Sequence, residues 1–547
     1  MGTYSDKLLV GLGGSGHDWS TAAMQGDQLV AVAEERVTRK KYGLGVDLLA
    51  AQSRKVCLNE LKATSEDISK VVVCDLVPKP FFYSLRNKTE VINHHLAHAY
   101  SAFVMSGYEQ SAILVADHSG STLEINDVRR VETVSLYKAD RNEIKLLKRY
   151  TGIQSAEDQS LTEYLRSAAA TTNSLGSFYR DSSLALGFSF IDKKHGGVYS
   201  EDGKTMGLSP YGDRRFVPQM KETFELLSDG EFRFNPDKLA KLLSKVNKDS
   251  RFDDRAAMAF AVQYQFEQVL KHLANYLHQL TGEKNLCIAG GCALNSVGNG
   301  LLVDESPFEK IYVPPAPSDD GIAIGCVGYA LHQESGKVPT LPRSAYLGPT
   351  YTNKEIDEAI KANNLQAEIS NRVNEAVAQR LADGRIIGWY QGRSEFGPRA
   401  LGNRSILAAP NPGFVRDKLN HEIKRREWFR PYAPMVPIEH KDEYFNFTND
   451  APHMSFVAKV TDKDKIRAAC HVDDTARLQT ISSQDNPKMH DLLLQMGQLT
   501  GVPVLLNTSF NYAGEPIVET PQDAIHSALN MRLDSLILED RIIDLDN

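Results

Sequence analysis

The sequence predicts an α/β fold, because short apolar runs of strand length alternate with longer stretches of helical periodicity. Apolar runs at residues 8–14, 28–34, 70–74 and 111–117 have the length and composition of buried strands. Some of them lead into glycine or acidic residues, as strands do when they run into a turn. At 547 residues, the chain is long enough for two or more domains with sizeable cores.

The clearest helix is predicted over residues 254–280, where apolar side chains recur at three- and four-residue steps. Asp253 or Asp254 can cap its start, and Gly282 follows its end. Other elements are predicted from weaker patterns, namely helices at 46–63, 95–105 and 353–363 and strands at 285–289, 386–390 and 503–506.

A segment rich in proline, glycine and polar residues, 333–350, predicts the main domain boundary. We therefore expect one domain over residues 1–340 and a second over 351–547. Within the first, strands run into glycine turns at Gly13-Gly14, Ser119-Gly120 and Gly290-Gly291. This repetition is the layout expected where two similar halves hold one nucleotide between them.

Composition narrows the class of protein. The net charge of −8 disfavours a nucleic-acid partner, because such proteins usually carry a basic face. The six cysteines form no Cys-x-x-Cys pair and indicate reduced core thiols. No signal peptide is evident, and no apolar run approaches the ~20 residues of a membrane span. We expect a cytoplasmic protein without a membrane partner.

The most informative feature is a histidine pair, His94 and His98. Residues four apart lie on one face of a helix, so the two imidazoles can bind the same metal ion. Asp117 and Asp319 lie in acidic loops and are the expected carboxylate ligands. Two imidazoles with two carboxylates suit iron, zinc or manganese. A histidine pair alone more often packs or caps a helix, so this prediction depends on the motifs around it.

Glycine turns after strands allow backbone N–H groups to approach phosphate oxygens, which indicates nucleotide binding at the loops Gly13–Gly16, Asp117–Gly120 and Gly290-Gly291. His17 follows the first glycine loop and is either a general base or a hydrogen-bonded loop residue. Residues 201–212 are dense in turn formers and are interpreted as a site loop or a surface connection. The basic residues of 36–41 are interpreted as a solvated helix end.

The C-terminal half contains two basic stretches. Residues 388–407 place Arg393, Arg399 and Arg404 among glycines directly after a predicted strand, and residues 424–430 follow with four more cations. Fixed guanidinium groups on a glycine-rich backbone suit several phosphates at once, so we expect a folded anion pocket. Asn507 and Ser509 lie just beyond a buried strand, where such sites form.

Together these motifs resemble the nodulation and antibiotic O-carbamoyltransferases, a family whose members act on tobramycin, novobiocin and cephamycin precursors. The resemblance covers nearly the whole chain. It implies an N-terminal duplicated domain of the actin/Hsp70/sugar-kinase type fused to a C-terminal YrdC-like α/β domain. The stretches that carry the resemblance in the N-terminal part are 34–36, 94–99, 117–121, 203–212, 289–295 and 318–321.

The resemblance also implies residue roles. Iron, or another divalent metal, would be held by His94, His98, Asp117 and Asp319, with His17 as the base. The nucleotide in the N-terminal domain would lie at Gly120, Gly290, Gly291 and Asn295. In the C-terminal domain, carbamoyl phosphate and ATP with magnesium would be bound by Arg399, Arg404, Lys424, Arg430, Asn507 and Ser509, with Arg399 and Lys424 acting in catalysis.

The expected activity is ATP-dependent O-carbamoyl transfer through carbamoyl-adenylate to a hydroxyl of a small natural product, as in antibiotic biosynthesis. One alternative is a nucleotide-binding ATPase of the Hsp70 or actin kind without group transfer, but the histidine pair and arginine-rich pocket do not fit it. Another is threonylcarbamoyl transfer to tRNA, which the charge of −8 and the fused C-terminal domain disfavour.

Overall fold

The computed structural model describes residues 6–152, 173–192, 197–411 and 414–545. Strands and helices alternate along these residues, so the α/β class predicted from the sequence is confirmed. Spatial contacts divide the chain into two units, one made of residues 1–9, 17–69 and 344–547 and the other of residues 10–16 and 70–343. Residues 17–69 therefore group with the C-terminal half, and the domain division at 340 and 351 stays a prediction.

The first sheet has five strands in the order β3-β2-β1-β4-β5. Strands β2 and β3 pair antiparallel, whereas β4 and β5 pair parallel. Strand β1 is buried along its whole length and β4 is buried from Val71 to Cys74, as expected for central strands covered on both faces. The bounds are β1 Leu8–Gly13, β2 Ser20–Gln25, β3 Gln28–Ala33, β4 Ile68–Cys74 and β5 Thr89–Ile92.

The second sheet and two short hairpins follow. Their bounds are β6 Gln110–Ala116, β7 Thr122–Ile125, β8 Val128–Asp140, β9 Ile144–Gly152, β10 Ser189–Asp192, β11 Gly197–Ser200, β12 Phe224–Leu226, β13 Phe232–Phe234, β14 Asn285–Ala289 and β15 Lys310–Tyr312. Strands β10 and β11 form one hairpin, and β12 and β13 form the other. The sheet itself has the order β15-β14-β6-β8-β7, with β9 also paired to β8.

The two sheets share one topology. In each, an antiparallel pair lies on one side of the first strand and a parallel pair lies on the other. In the second sheet β6 is that first strand, antiparallel to β8 and parallel to β14. This repeat confirms the duplicated N-terminal architecture predicted from the sequence.

The helices of this part lie between the strands. Their bounds are α1 Glu34–Thr38, α2 Gln52–Glu60, α3 Lys79–Phe82, α4 His94–Ser106, α5 Leu175–Ala185, α6 Asp202–Leu208, α7 Val217–Lys221, α8 Pro236–Leu243, α9 Phe252–Thr281, α10 Ser296–Glu305 and α11 Ile322–Ser335. Short 3₁₀ turns occupy Lys41–Gly43, Tyr83–Lys88, Ser209–Tyr211, Arg214–Phe216, Gly291–Leu294 and Asp319–Gly321.

The C-terminal half forms one mixed ten-stranded sheet, in the order β16-β25-β24-β17-β18-β23-β19-β22-β21-β20. Its strands are β16 Glu368–Ile369, β17 Ile387–Tyr390, β18 Arg404–Ala408, β19 Ala433–Pro437, β20 Phe445–Asn446, β21 Phe456–Val460, β22 Thr475–Ile481, β23 Leu505–Ser509, β24 Ser535–Leu538 and β25 Arg541–Asp544. A cluster that includes Trp389, Leu407, Met435, Leu492 and Ile537 forms its core.

The remaining helices flank this sheet. They are α12 Asn353–Ala362, α13 Val373–Ala382, α14 Phe414–Lys418, α15 Lys441–Tyr444, α16 Pro487–Thr500 and α17 Pro521–Met531, with a π-helical turn at Leu419–Ile423 and a 3₁₀ turn at Ile438–His440. Thr352 and Thr520 begin α12 and α17 with capping boxes, in which the hydroxyl and an acidic side chain three residues on satisfy exposed N–H groups.

Two sequence interpretations are wrong. Residues 201–212 are not a loop, because helix α6 and a 3₁₀ turn occupy most of them. Of the basic residues in 36–41, Arg36 and Arg39 are not simply solvated. Arg36 is buried and donates to the Gly397 carbonyl at 3.0 Å, and Arg39 donates to Ile517 and Pro516 at 2.6 and 2.8 Å. These donors satisfy carbonyls of distant segments, which local charge patterning does not reveal.

All six cysteines are buried and unpaired, which confirms their prediction as core thiols. None of the helices in the described part of the chain combines the length and the hydropathy that a membrane crossing requires.

Candidate functional site

Helix α4 presents the histidine pair. Asn93 caps its start by accepting a hydrogen bond from Leu96 N at 2.9 Å, and Gly107 ends it in the left-handed conformation. His94 and His98 are one turn apart with ring centroids separated by 4.8 Å, and neither side chain is exposed. The cap therefore fixes where the helix starts and which of its faces carries the two imidazoles.

Asp117 directly follows strand β6, and its two carboxylate oxygens have different partners. Oδ1 accepts hydrogen bonds from the backbone N–H groups of His118 and Gly291, at 2.8 and 3.3 Å. Oδ2 lies 3.4 Å from His94 Nε2 and 3.3 Å from His98 Nε2. The backbone contacts thus orient the carboxylate toward the histidine pair.

Asp319 begins the 3₁₀ turn that leads into helix α11. Its Oδ1 lies 3.5 Å from the Nε2 atoms of both His94 and His98. Helix α11 packs closely on α4, because a Cβ at Gly325 would lie only 1.9 Å from the Ala97 carbonyl oxygen. A glycine at this position is therefore what allows the carboxylate to approach the imidazoles.

These four side chains fit a divalent cation. Their ligand atoms all lie within 4.8 Å of one another, and all four residues are buried. The N···O separations of 3.3–3.5 Å match the edge, roughly 3.4 Å, of a tetrahedron with metal–ligand bonds of about 2.1 Å. Among the described residues, neither ring nitrogen of His98 has a hydrogen-bond partner, which is consistent with a buried imidazole that serves as a metal ligand.

The pKa shifts of His94 and Asp117 are consistent with a cation site at these four residues. Burial opposes the charged form of His94, but the carboxylates of Asp319 and Asp117 outweigh it and raise the pKa of His94 well above its usual value. Burial also disfavours the Asp117 carboxylate, yet its close contacts with the imidazoles of His94 and His98 hold its pKa well below its usual range. Without a cation, two buried carboxylates can be balanced only by such protonated imidazoles.

A hydrogen-bond network that sequence reasoning missed surrounds the start of α4. Ser121 Oγ accepts from His94 N at 2.9 Å and donates to Asp75 at 2.8 Å. Asn93 Nδ2 donates to Glu132 at 2.7 Å, and Glu132 in turn forms an ion pair with Arg149. These residues come from separate elements, and no local motif signals their convergence.

His95 is not part of the four-residue candidate metal site. Its Nδ1 lies 2.8 Å from Ser135 Oγ, and its ring packs where a Cβ at Gly120 would lie 2.6 Å from it. Burial lowers the pKa of His95 well below its usual value, and the nearby His94 lowers it further. The histidine at the intermediate position therefore faces the β8 side of the helix, as the helical geometry predicts.

The expected nucleotide residues lie beside Asp117. Gly120 N donates to the Glu132 carbonyl at 2.7 Å and Gly290 N to that of Pro317 at 2.8 Å. Gly290 has a φ of 89°, and a Cβ there would lie 2.2 Å from the Ala116 carbonyl oxygen, so only glycine lets β14 pass β6 so closely. Nucleotide contact by these residues stays a prediction.

Asn295 has a structural partner as well as a predicted ligand. Its side chain caps helix α10 by accepting from Gly298 N at 2.9 Å, and its amide exchanges hydrogen bonds with Gln263 at 2.9 and 3.1 Å. His17 belongs to the other unit, where its Nδ1 lies 3.0 Å from Asp18 Oδ2. Both predicted roles stay predictions.

In the unit that contains the C-terminal half, a cluster of cations forms around the predicted anion pocket. Burial, with a smaller contribution from Arg430, lowers the pKa values of Arg399 and Arg426 to about 10. For Arg477, burial and then Arg399, Arg426 and Arg430 lower the pKa well below its usual value. The four guanidinium groups are thus close enough to repel one another.

Arg477 lies on strand β22 and was missed by sequence reasoning, because it is a single arginine outside any basic run. In the described part of the chain, Arg399 and Arg477 have no carboxylate within ion-pair distance, and Arg477 Nε has no hydrogen-bond partner. Two half-buried cations that lack a carboxylate partner and lie beside other cations indicate a site for an anionic ligand.

Lys424 borders this cluster, which we call the arginine cluster (Arg399, Arg426, Arg430 and Arg477). Its ammonium group donates to the carbonyls of Ser509 and Asn511, both at 2.9 Å, and to Asn511 Oδ1 at 2.8 Å. Burial lowers its pKa well below the usual value, with further lowering by Arg426, Arg430 and Lys41. Ser509 Oγ donates to Asn511 Oδ1 at 2.6 Å.

Two other predicted ligands are engaged within the protein. Arg404 is fully buried, stacks 3.6 Å from the centre of the Tyr390 ring and donates to the carbonyls of Gln391 and Gly392. Asn507 donates to Ala400 O at 2.9 Å and to Gln479 Oε1 at 2.8 Å. These contacts fold the backbone around the arginine cluster, and direct ligand contact by either residue stays a prediction.

Two family profiles match most of the sequence. Residues 79–327 match the carbamoyltransferase N-terminus, and residues 378–544 match the carbamoyltransferase C-terminus. The chain belongs to the carbamoyltransferase family. It is therefore an enzyme that transfers carbamoyl groups, as the sequence motifs predict.

Two nodulation proteins are similar to this carbamoyltransferase over most of its length. Nodulation protein NolO of Bradyrhizobium diazoefficiens is 35% identical over 467 residues, which cover 82% of this chain and 78% of NolO. Nodulation protein NolNO of Sinorhizobium fredii is 34% identical over 475 residues, covering 84% of this chain and 64% of NolNO. Full-length HypF, solved in a phosphate- and nucleotide-bound form, shares 13% identity at a TM-score of 0.39, covering 62% of this chain and 57% of HypF.

The loop that carries Arg399 in this carbamoyltransferase is organised by Glu395. A single carboxylate oxygen accepts hydrogen bonds from the backbone N–H groups of Leu401, Asn403 and Arg404, at 2.8, 2.6 and 3.1 Å. Glu395 is 2% exposed, so water cannot replace these bonds. The carboxylate therefore holds the glycine-rich loop in the shape that places Arg399 in the arginine cluster.

Replacing Glu395 with alanine is expected to destabilise the enzyme by about 3 kcal/mol or more, because each buried N–H left unsatisfied costs roughly 1–3 kcal/mol. Urea denaturation gives the free energy of unfolding. Glu395→Gln keeps an acceptor oxygen and serves as the matched control, so it should lose much less stability. Equal losses in the two variants would contradict the assignment of the carboxylate as the acceptor that holds the loop.

Proposed function

We propose that this carbamoyltransferase makes carbamoyl-adenylate from carbamoyl phosphate and ATP with magnesium, and then transfers the carbamoyl group to a hydroxyl of a small natural-product acceptor. The observation that carries the proposal is the arginine cluster, in which Arg399 and Arg477 lack a carboxylate partner among the described residues. Carbamoyl phosphate and the triphosphate of ATP are anions of the kind that such a cluster would bind.

The first step forms carbamoyl-adenylate and releases phosphate and pyrophosphate. Water releases inorganic phosphate from carbamoyl phosphate and leaves carbamate, whose oxygen attacks the α-phosphorus of ATP and displaces pyrophosphate. The arginine cluster would hold the phosphates and stabilise the charge that develops on the leaving groups. Lys424, fixed by Ser509 and Asn511, would add a positioned cation beside them.

The second step transfers the carbamoyl group. The acceptor hydroxyl oxygen attacks the carbamoyl carbon, the bond to the adenylate oxygen breaks, and AMP leaves. His17 is the proposed base, since Asp18 holds its Nδ1 and Nε2 would then take the hydroxyl proton. A divalent ion, iron in our proposal, held by His94, His98, Asp117 and Asp319 would act as a Lewis acid on the adenylate phosphate.

Purified enzyme with ATP, magnesium and carbamoyl phosphate is expected to release pyrophosphate and inorganic phosphate, measured by coupled enzymatic assays. Omission of carbamoyl phosphate is the control and should stop pyrophosphate release, because carbamate is the attacking group. Hydrolysis of ATP to ADP at the same rate with and without carbamoyl phosphate, and without pyrophosphate, would instead support a non-transferring ATPase and contradict the proposal.

A further inference from the structure

We propose that Cys74 is a positioning residue for the metal ligand His94 and that its thiol links this imidazole to the first glycine loop. The inference rests on the metal site of the proposed function. Cys74 ends strand β4 and is fully buried, with its Sγ 3.4 Å from His94 Nδ1. It is thus the side chain behind the ring, opposite the nitrogen that faces the two carboxylates.

The hydrogen-bond direction follows from the number of protons. A thiol has a single proton, and that of Cys74 is donated to the Gly14 carbonyl oxygen at 3.5 Å. The sulfur is then the acceptor for a proton on His94 Nδ1. In the neutral imidazole, a proton on Nδ1 leaves the lone pair on Nε2, which is the atom directed at Asp117 and Asp319.

This arrangement selects the ring orientation and the tautomer that a metal ligand needs. Ligating histidines usually donate their other ring nitrogen to a fixed acceptor, and loss of that outer partner costs about 10–100-fold in metal affinity. The Gly14 carbonyl belongs to the loop after β1, and Gly14 itself has a φ of 118°. The thiol therefore connects a predicted phosphate loop to the imidazole through two hydrogen bonds.

His94 and His98 differ in whether their Nδ1 atom has a hydrogen-bond partner. Among the described residues, His98 Nδ1 has no hydrogen-bond partner, whereas His94 Nδ1 has the Cys74 thiol. The unpartnered, fully buried Nε2 of His98 points into the same four-residue group. His94 is therefore the ligand held in place before the ion arrives, and its support comes from Cys74.

The test measures cobalt(II) binding to the full-length protein by chelator competition, together with the cobalt absorption spectrum. Cys74→Ala is expected to weaken cobalt binding by about 10–100-fold and to change the spectrum. Cys74→Ser should recover part of the loss, because a hydroxyl can accept from Nδ1 and donate to the Gly14 carbonyl. A purely packing role would give serine no advantage over alanine in metal affinity.

Cys326→Ala is the matched control. Cys326 is another fully buried thiol of the same unit, and its Sγ donates to the Leu12 carbonyl at 3.7 Å rather than to a histidine. It should lower the thermal stability of the metal-free protein about as much as Cys74→Ala but leave cobalt binding unchanged. Equal cobalt affinity for wild type and Cys74→Ala, or an equal loss in Cys326→Ala, would overturn the inference.

The same measurements separate this inference from the proposed metal site. If wild type binds cobalt and His94→Ala does not, the site stands and the Cys74 variants decide the role of the thiol. If wild type and His94→Ala behave alike, the metal site itself is wrong, and the positioning role falls with it.

Discussion

Replacing His98 with alanine is expected to abolish tight metal binding and carbamoyl transfer while pyrophosphate release from ATP and carbamoyl phosphate persists. The variant removes one of four ligands directly, so metal affinity should fall by more than the roughly 100-fold that loss of an outer-shell partner can cost. His98 Nε2 lies 3.3 Å from Asp117 Oδ2 and 3.5 Å from Asp319 Oδ1, so the substitution acts directly at the candidate metal site. Metal content by mass spectrometry and product analysis measure both effects.

His95→Ala is the control for this experiment. His95 is equally buried and adjacent in sequence, but its contact is with Ser135 and not with the carboxylates. It should create a similar cavity and retain the metal. Loss of pyrophosphate release in step with carbamoyl transfer in His98→Ala would show that the two half-reactions do not use separate residues and would contradict the proposed function.

The second large effect is expected at Arg477. Arg477→Met should slow pyrophosphate release at low carbamoyl phosphate by about 10–100-fold, since a hydrogen bond to a charged group is worth roughly 1.5–3 kcal/mol. The free energy of unfolding of the ligand-free protein should stay unchanged or increase, because the variant removes a half-buried cation that Arg399, Arg426 and Arg430 repel. Activity and stability would then move in opposite directions.

Arg425→Met is the control for Arg477. Arg425 is exposed and its guanidinium donates to Tyr512 Oη at 3.1 Å, outside the arginine cluster. It should leave pyrophosphate release unchanged. The pocket assignment would be refuted by an Arg477→Met protein that unfolds more easily than wild type and releases pyrophosphate at the wild-type rate.

Much of the fold follows from local patterns. The periodicity predicted over 254–280 corresponds to α9, Phe252–Thr281, because a long apolar stripe with an acidic start and a glycine end specifies a helix locally. Strand β2 was not predicted, since Ser20–Gln25 is short and mixes polar and small residues. It becomes a strand through its pairing with β3, a tertiary effect that outweighs its weak intrinsic preference.

The four residues of the candidate metal centre were predicted from the sequence because each lies in a recognisable local motif. His94 and His98 are one helical turn apart, Asp117 directly follows strand β6, and Asp319 begins a 3₁₀ turn. The arginine cluster was predicted only in part from the sequence. Arg399 and Arg430 lie in basic runs, but Arg477 is a lone arginine on β22, and its neighbours come from segments distant in the sequence.

The amino-acid order was sufficient to predict the α/β class, from periodicity and turn chemistry, and the carbamoyltransferase family, from the resemblance of its motifs. It also pointed to the four residues of the candidate metal centre. The partners behind those residues emerge only from the folded chain. The Cys74 thiol behind His94, the Glu395 carboxylate beneath the Arg399 loop and the Arg477 cation all act across long sequence separations. Hydrogen bonds and charge repulsion depend on distance in space, and close packing of strands and helices creates those distances.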